Sequence, residues 1–530
     1  MTQRLLVVAS VLALLLVASV MPAESGVKMT QVQPELAKKL QTVLDQALET
    51  SGTMGASAAV IMPDGRIWTG VSGMSDPDTP VTADMLFDMG STGKNLFAAL
   101  VLDLAEEGLL SLDDPINKYL PPYPNVNGAI TIRQLLNHTS GLYMWVEHPR
   151  SPFRKPYNEI DFEKWWTADE IFSTLGGEPY FSPGEGWRYT QAGYYLGRLI
   201  VEQVTGSTVP AEVQKRLLDP LDIHGMLLDL KEPVSANYRI AHNWVDTNGD
   251  GVPEDVSARS RNWINSLSGI LYYATMEDLA KWLHGLHQGK VLSQASLDEM
   301  LDFYSPIPDE GLAGYGLGTE HVVFGDVEMW GHKGSIPGYR AGVYYLPQFK
   351  ATLALAINSD SDEKGFAMFT PLLEVVFTHT ATESGCTPTN AGGTVPPAIA
   401  ICSVTFVVNG VEQVVRGGDT LPLSAGDEVR FKEAEIYVGT FSGNGGEACV
   451  DLAPWDQNGQ EIESGRLGTH NLAVSPGLAT ITGPDRTQIV GENWRRIVAV
   501  LNHWPPGRTK DSDCAGGRCE RDDRIVIELR

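Results

Sequence analysis

Gly90-Ser91-Thr92-Gly93-Lys94 places a hydroxyl and an amine three residues apart at the head of an apolar-periodic run. On a helix, positions 91 and 94 share a face, so the serine oxygen comes within reach of the lysine nitrogen. Serine becomes a useful nucleophile only when a neighbour takes its proton, and a lysine held in a dry pocket loses enough of its pKa to be that neighbour. Leu96, Phe97, Leu100, Val101, Leu104 and Ala105 recur at three and four, with Gly108 as a stop, so the spacing predicts a helix that begins at the serine. Its N-terminus offers Ser91 free N–H groups and the positive end of the helix dipole. The spacing alone is common by chance, and a surface Ser and Lys at a helix start carry no chemistry.

Three other stretches hold residues of the kind such a nucleophile needs. Pro183-Gly184-Glu185-Gly186-Trp187-Arg188-Tyr189-Thr190-Gln191 sets a phenol and an amide just before a helix running to about Val204. Gly331-His332-Lys333-Gly334-Ser335-Ile336-Pro337-Gly338-Tyr339 lies between two predicted strands, and Leu135-Leu136-Asn137-His138-Thr139-Ser140-Gly141-Leu142 ends a short helix. Asp246, Asn248 and Asp250, in Asp-Thr-Asn-Gly-Asp-Gly, put oxygen donors on alternate residues with Gly at the turn, the opening of a calcium loop. Its twelfth position is Ser257 rather than Glu, so a structural calcium and a plain acidic turn both stand as readings, with Glu254 or Asp255 as substitute ligands. Tyr143 to Trp166 is rich in aromatic and basic residues, which suits a pocket lining or the packing of a long loop.

The elements that must position these residues follow from periodicity. Leu36, Leu40, Val43, Leu44, Ala47 and Leu48 predict an amphipathic helix over 32–50. Runs 56–62 and 66–72, joined by Pro63-Asp64-Gly65, predict a hairpin. From Ser91 to about residue 300 the pattern is helical with long Pro/Gly/Asn-rich connections; strand character returns at 322–324, 327–330, 342–346 and 352–357, and a helix closes the segment over 365–378. An antiparallel sheet is thus assembled from both ends of residues 30–380, with a helical region inserted between, and the catalytic candidates sit where the two meet. Residues 381–400 read as a linker. Short β-rich runs over 401–530 predict an all-β, sandwich-like accessory module, so the chain as a whole is α+β.

Together and in this order, S-x-x-K, the LLNHTSGL stretch, P-G-E-x-x-x-Y and G-H-K-G-S-I-P-G-Y resemble the serine hydrolases of the class C β-lactamase and D-alanyl-D-alanine carboxypeptidase family, which includes esterases and D-aminopeptidases. The resemblance covers about residues 30–380. It implies a beta-lactamase/transpeptidase-like fold with Ser91 as the acylated nucleophile, Lys94 exchanging its proton, and Tyr189 as partner base and acid toward the leaving group. It places His332 and Gly334 in the K-T-G or H-x-G element beside the pocket, and the backbone N–H groups of Ser91 and Ser335 in the oxyanion hole. Gln191 stands where the family usually has Asn, so the substrate-binding amide is carried on a longer arm. His332 replaces a lysine common in β-lactamases, and histidine is largely neutral at pH 7. The fixed charge for a substrate carboxylate is weakened, with Lys333 and Arg340 as substitutes, which favours an esterase, amidase or peptidase over an efficient β-lactamase.

The expectation is therefore a hydrolase needing no cofactor for catalysis, acting on a small ester or amide or a peptidoglycan-type peptide. The reading from another class is a catalytically weak envelope protein in which this fold and the β module bind peptidoglycan or a partner. A net charge of −27 argues against a nucleic-acid partner, since phosphate contacts need cations that the surface mostly lacks. Residues 1–25, with Arg4, the apolar run from Leu5 to Met21 and Ala23-Glu24-Ser25, read as a cleaved export signal leading to a periplasmic or secreted protein. No other stretch is long and apolar enough to cross a bilayer. All five cysteines, 386, 402, 449, 514 and 519, fall in the last third, which in an exported chain predicts one or two disulfides with the pairing open.

Overall fold

The computed structural model describes residues 30–226, 238–268, 270, 272–305, 307, 311–324, 327–347, 349–383 and 399–415, and beyond them the C-terminal strands named below. Helix α1 (Pro34–Ser51) starts with proline in its first turn and buries Leu36, Leu40 and Leu44 on one stripe. The predicted hairpin follows as β1 (Gly55–Ile61) and β2 (Ile67–Asp76), closed at Pro63-Asp64-Gly65 by Met62 N–H to the Arg66 carbonyl (2.8 Å). A short β3 (Thr79–Pro80) folds back on β2. The remaining strands of the sheet come from the far end of this region: β4 (Gly314–Tyr315), β5 (Glu320–Phe324), β6 (Val327–Ile336), β7 (Tyr339–Leu346) and β8 (Ala351–Ile357). They form one eight-stranded antiparallel sheet in the order β3-β2-β1-β8-β7-β6-β5-β4, so β1 pairs with β8, Ala56 opposite Ile357.

Both faces of this sheet are covered, which explains why β1 and β8 are buried along their whole length. One face packs on α1 and on α6 (Asp362–Glu383), through Leu36, Leu40, Leu353, Leu355, Leu372 and Val376. The other carries the inserted region, 80–310, whose core elements are α2 (Gly93–Glu106), α3 (Ile132–Leu136), α4 (Gln191–Thr205) and α5 (Met276–His287). Helix α2 is buried nearly all round, a central helix rather than a surface one. Its first turn meets the loop between β4 and β5: a Cβ on Gly318 would lie 2.4 Å from the Lys94 carbonyl. Sheet and insert therefore touch where Ser91 and Lys94 stand.

In the C-terminal part the strands are β9 (Ile399–Val408), β10 (Val411–Val415), β11 (Thr420–Leu421), β12 (Glu428–Val438), β13 (Gly446–Trp455), β14 (Gly468–Val474), β15 (Gly477–Thr482), β16 (Thr487–Ile489), β17 (Arg496–Trp504) and β18 (Asp523–Leu529). They make two five-stranded sheets, β10-β9-β12-β15 with β16 also on β12, and β11-β18-β17-β13-β14. The Asn409-Gly410 turn joins β9 to β10 as a hairpin. The chain is thus α+β, an antiparallel sheet flanked by helices with an inserted helical region, followed by an all-β part.

Residues 1–25, most of 381–400, and Cys386, Cys514 and Cys519 lie outside the described residues; Cys402 is in β9 and Cys449 in β13. Among the described residues no helix is long and apolar enough to cross a membrane. One boundary differs from the expectation: Gly331 to Ile336 is not a connection between strands but the second half of β6. Its glycines mark close backbone approach, not a loop. A Cβ on Gly331 would lie 1.9 Å from the Val343 carbonyl, and one on Gly334 2.0 Å from the Met89 carbonyl.

Candidate active site

Ser91 sits in a 3-10 turn, Gly90–Thr92, that runs directly into α2. The turn is held from below. The Gly90 N–H donates to Asp88 Oδ1 (2.9 Å), and the other oxygen of that buried carboxylate pairs with Arg261, which lies beside the rings of Tyr273 and Tyr339. Thr92 Oγ1 donates to the Met89 carbonyl (3.0 Å) and meets the Tyr272 hydroxyl at 3.1 Å. Three residues on, in the first turn of the helix, Lys94 Nζ is hydrogen-bonded to Ser91 Oγ at 2.9 Å. Lys94 is 2% exposed, and burial drives its pKa from 10.5 down to about 7, partly offset by the negative charge of Glu320. Near neutral pH a large fraction of this lysine is a free amine beside the serine oxygen.

Tyr189 closes the other side. Its ring lies 4.8 Å from Lys94 Nζ, with the Tyr194 ring 5.4 Å away. The residues flanking it are fixed by hydrogen bonds to His138: Arg188 N–H to the His138 carbonyl (3.0 Å) and Thr190 N–H to His138 Nδ1 (3.3 Å). Thr190 caps α4 by accepting from the Ala192 N–H (3.1 Å), and Gln191 is the first residue of that helix. The Gln191 side-chain oxygen is buried without a hydrogen-bond partner.

Strand β6 supplies the third wall. Its pairing with β5 stops at Gly331 opposite Glu320, so the outer edge of 332–336 is left to other groups. Lys333 N–H leaves the strand on that edge and donates to Glu320 Oε2 (3.1 Å). Two residues on, the alternation of a strand sends the Ser335 N–H the same way. The Ser91 turn is pressed against this edge: a Cβ on Gly90 would lie 3.1 Å from the Ser335 nitrogen, and one on Gly334 3.1 Å from the Ser91 nitrogen. Gly90, at φ 51, takes a left-handed conformation that favours glycine. Two main-chain nitrogens are thereby brought beside the Ser91 hydroxyl, the arrangement that can stabilise an oxyanion.

His332 lies on the face of β6 turned toward this site, buried, with both ring nitrogens engaged. Nδ1 faces the Lys333 carbonyl at 2.6 Å, and a carbonyl only accepts, so Nδ1 carries the proton. Nε2, 2.9 Å from the Tyr315 hydroxyl, accepts from it. Burial pushes the His332 pKa down to about 4, against the pull of Glu320, so the ring is neutral across the physiological range. Arg340 is also committed, donating to the Ile336 and Tyr339 carbonyls and to Asp360 (2.8 Å). Lys333 is exposed. Neither His332 nor Arg340 offers the fixed charge that a substrate carboxylate would need.

Ser91, Lys94, Tyr189, Gln191, His332, Gly334 and Ser335 therefore converge on one place. Asp246, Asn248 and Asp250 do not belong to it. They form a turn between the paired segments Trp244–Val245 and Glu254–Asp255, where Asp246 accepts the N–H groups of Gly249 (2.7 Å), Asp250 (3.2 Å) and Gly251 (2.8 Å). Asn248 donates to Glu254 (2.9 Å), and among the described residues no group of His, Cys, Asp or Glu is gathered closely enough to hold a metal ion. In the aromatic stretch, Trp145 and Trp166 are buried, Trp145 packing edge-on against Phe172 and Tyr195, whereas Tyr143 stacks on Tyr180. Trp145 is thus core, and the stacked Tyr143 is half-buried.

Glu320, Tyr315, His138, Asp88 and Arg261 are site residues that sequence reasoning did not single out. Only His138 had a signal, its place in the LLNHTSGL stretch. The others act through a pairing 173 positions apart, Asp88 with Arg261, or through strand ends that no local pattern marks.

An α+β fold with a serine and a buried lysine at the foot of a central helix, pressed on a glycine-bearing sheet edge, defines a class of serine-nucleophile proteins. Residues 40–376 match the Beta-lactamase family model, and the chain belongs to that family. It is 32% identical over 238 residues to esterase EstB of Burkholderia gladioli, covering 42% of this chain and 57% of that protein. Penicillin-binding protein 4* of Bacillus subtilis is 26% identical over 305 residues, covering 53% and 63%. The chain thus spans less than two thirds of these curated relatives. Among solved structures, D-amino acid amidase from Ochrobactrum anthropi SV3 with D-phenylalanine superposes at a TM-score of 0.57, with 27% identity over 64% of this chain and 99% of the amidase. A D-stereospecific amidohydrolase from Streptomyces gives 0.54 with 28% identity over 62% and 97%.

Proposed function

We propose that this protein is an exported serine hydrolase that cleaves small esters or amides, D-amino-acid amides and peptides included, through an acyl-enzyme on Ser91. The observation that carries the reading is the 2.9 Å contact between Ser91 Oγ and a lysine whose pKa is lowered to about 7. In the acylation step Ser91 Oγ attacks the substrate carbonyl and its proton passes to the Lys94 amine. The carbonyl oxygen becomes an oxyanion between the Ser91 and Ser335 N–H groups, each worth on the order of 3 kcal/mol of barrier. Collapse of the tetrahedral intermediate breaks the bond to the leaving group, which takes a proton from the Lys94–Tyr189 pair, and water then releases the acyl group by the reverse sequence.

The neutral His332 and the committed Arg340 favour an acyl portion without a carboxylate at that end of the pocket. The amidase and esterase names of the relatives agree with this choice, and the arginine-led apolar stretch at residues 4–21 supports export. The test is incubation of the purified protein with a fluorophosphonate, followed by peptide mapping, alongside hydrolysis of short-chain esters, D-amino-acid amides, stem peptides and a chromogenic cephalosporin. An adduct on Ser91, with turnover lost in Ser91→Ala at unchanged thermal stability, is the expected outcome. Undiminished hydrolysis by Ser91→Ala would end the assignment.

A further inference from the structure

We infer that His138 is the positioning residue for Tyr189: it clamps the backbone on both sides of the tyrosine and backs its ring, fixing where the phenol stands relative to Lys94. The inference rests on the reading of Tyr189 as proton carrier.

Three contacts converge on one residue. The His138 carbonyl accepts from Arg188 N–H (3.0 Å), its Nδ1 accepts from Thr190 N–H (3.3 Å), and its ring lies 4.3 Å from the Tyr189 ring, centroid to centroid. Tyr189 is the residue between those two N–H groups, so its main chain is tied at both neighbours and its side chain is supported from behind. The imidazole also packs on Tyr315 (4.6 Å) and Tyr194 (5.4 Å), which are themselves buried, so the support is rigid.

Nothing about core packing asks for histidine here. His138 follows the end of α3 at φ 64, a backbone conformation that glycine adopts freely and a histidine does not. With Nδ1 accepting, the proton of the neutral ring is on Nε2, and that atom is buried with no hydrogen-bond partner. Glycine would relieve the backbone strain, and an apolar side chain would remove the orphaned donor. What histidine alone supplies is an acceptor and a flat ring, both directed at the Tyr189 segment. Burial, with Lys94 and His332 nearby, holds its pKa well below the ordinary range, so the clamp adds no positive charge next to the lysine.

The experiment compares wild type, His138→Gly and His138→Asn in the full chain. Glycine suits the left-handed backbone and removes ring and acceptor; asparagine also tolerates that backbone and keeps an acceptor oxygen. Each is assayed for fluorophosphonate labelling of Ser91 and for kcat and KM on p-nitrophenyl acetate. For His138→Gly, kcat and labelling rate are expected to fall on the order of 100-fold with KM within about twofold, since a displaced proton carrier costs rate and not substrate contact. His138→Asn is expected to recover part of that loss, a graded response that a mere packing role would not give. Wild-type kcat in both variants, a loss confined to KM, or an Asn variant as impaired as Gly would overturn the inference while leaving a labelled wild-type Ser91 in place. A wild-type Ser91 that takes no label overturns the hydrolase reading and this inference with it. Should His138→Gly not fold, the Asn variant decides alone: a reduced kcat at unchanged KM supports the clamp, and wild-type kcat refutes it.

Discussion

If Lys94 accepts the Ser91 proton, activity must follow the neutral fraction of that amine, and the structure fixes where on the pH scale this occurs. A lysine in water titrates at 10.5, and here burial brings it to about 7. The difference of about 3.5 units corresponds to about 5 kcal/mol of lost preference for the charged form, and it raises the neutral fraction at pH 7 from about 1 in 3,000 to about one half. The groups that face the amine are Ser91, Tyr189 and Tyr194, the neutral rings of His138 and His332, and the carboxylate of Glu320. Deprotonation is promoted by raising pH, so kcat/KM should rise through a limb near pH 7 and fall away below it. That limb belongs to the coupled Lys94–Tyr189 pair rather than to one residue. Glu320 opposes the burial effect, because its charge favours the ammonium form. In Glu320→Gln the limb should therefore move to lower pH, and the variant should outperform wild type in relative terms on the acid side. The assay is kcat/KM for an ester whose own chemistry is insensitive to pH over the range, repeated as the second-order rate of fluorophosphonate labelling. A profile flat down to about pH 5, a limb near the ordinary lysine value of about 10, or an upward shift in Glu320→Gln would each refute the role given to Lys94.

Asp88→Ala should destabilise the protein by about 3–5 kcal/mol, because it leaves Arg261 without its ion-pair partner and the Gly90 N–H without its acceptor; an unchanged midpoint in urea unfolding followed by tryptophan fluorescence would contradict this. Gly334→Ala should lower kcat on the order of 100-fold while the protein still folds, since its Cβ would lie 2.0 Å from the Met89 carbonyl and must part the strand from the nucleophile turn. Wild-type turnover by Gly334→Ala would show that the two nitrogens do not act together.

The sequence made visible what depends on local spacing. Ser91 and Lys94 share a helix face because three residues separate them, and the hairpin around Pro63-Asp64-Gly65 is written in its turn residues. The two ends of the sheet could be located from alternating β-rich runs. Less legible was anything set by how strands end. Glu320 looks like an ordinary polar residue, yet it is 2% exposed because β5 begins there and its carboxylate takes the Lys333 N–H together with the Tyr344 hydroxyl (2.7 Å). The stretch 331–339 reads as lying between two strands, whereas two of its glycines belong to a strand that other backbone approaches closely. His332 was expected to be neutral on its ordinary pKa; burial makes it so by a wider margin, and its engagement with Tyr315 could not be foreseen from either residue alone. Arg261 reaches Asp88 across more than 170 positions, and no periodicity encodes that encounter.

The pairing of β1 with β8 also sets an order of events during synthesis. Ala56 finds Ile357 only after about 300 further residues have left the ribosome, and the Ser91 turn finds Gly334 only slightly sooner. A chain halted at residue 320 would contain Ser91, Lys94 and Tyr189, the residues to which the chemistry is ascribed, and would still lack both the second oxyanion nitrogen and the strand that closes the sheet. Competence therefore arrives in one late step rather than by accumulation, and nascent fragments of this enzyme region should be inert.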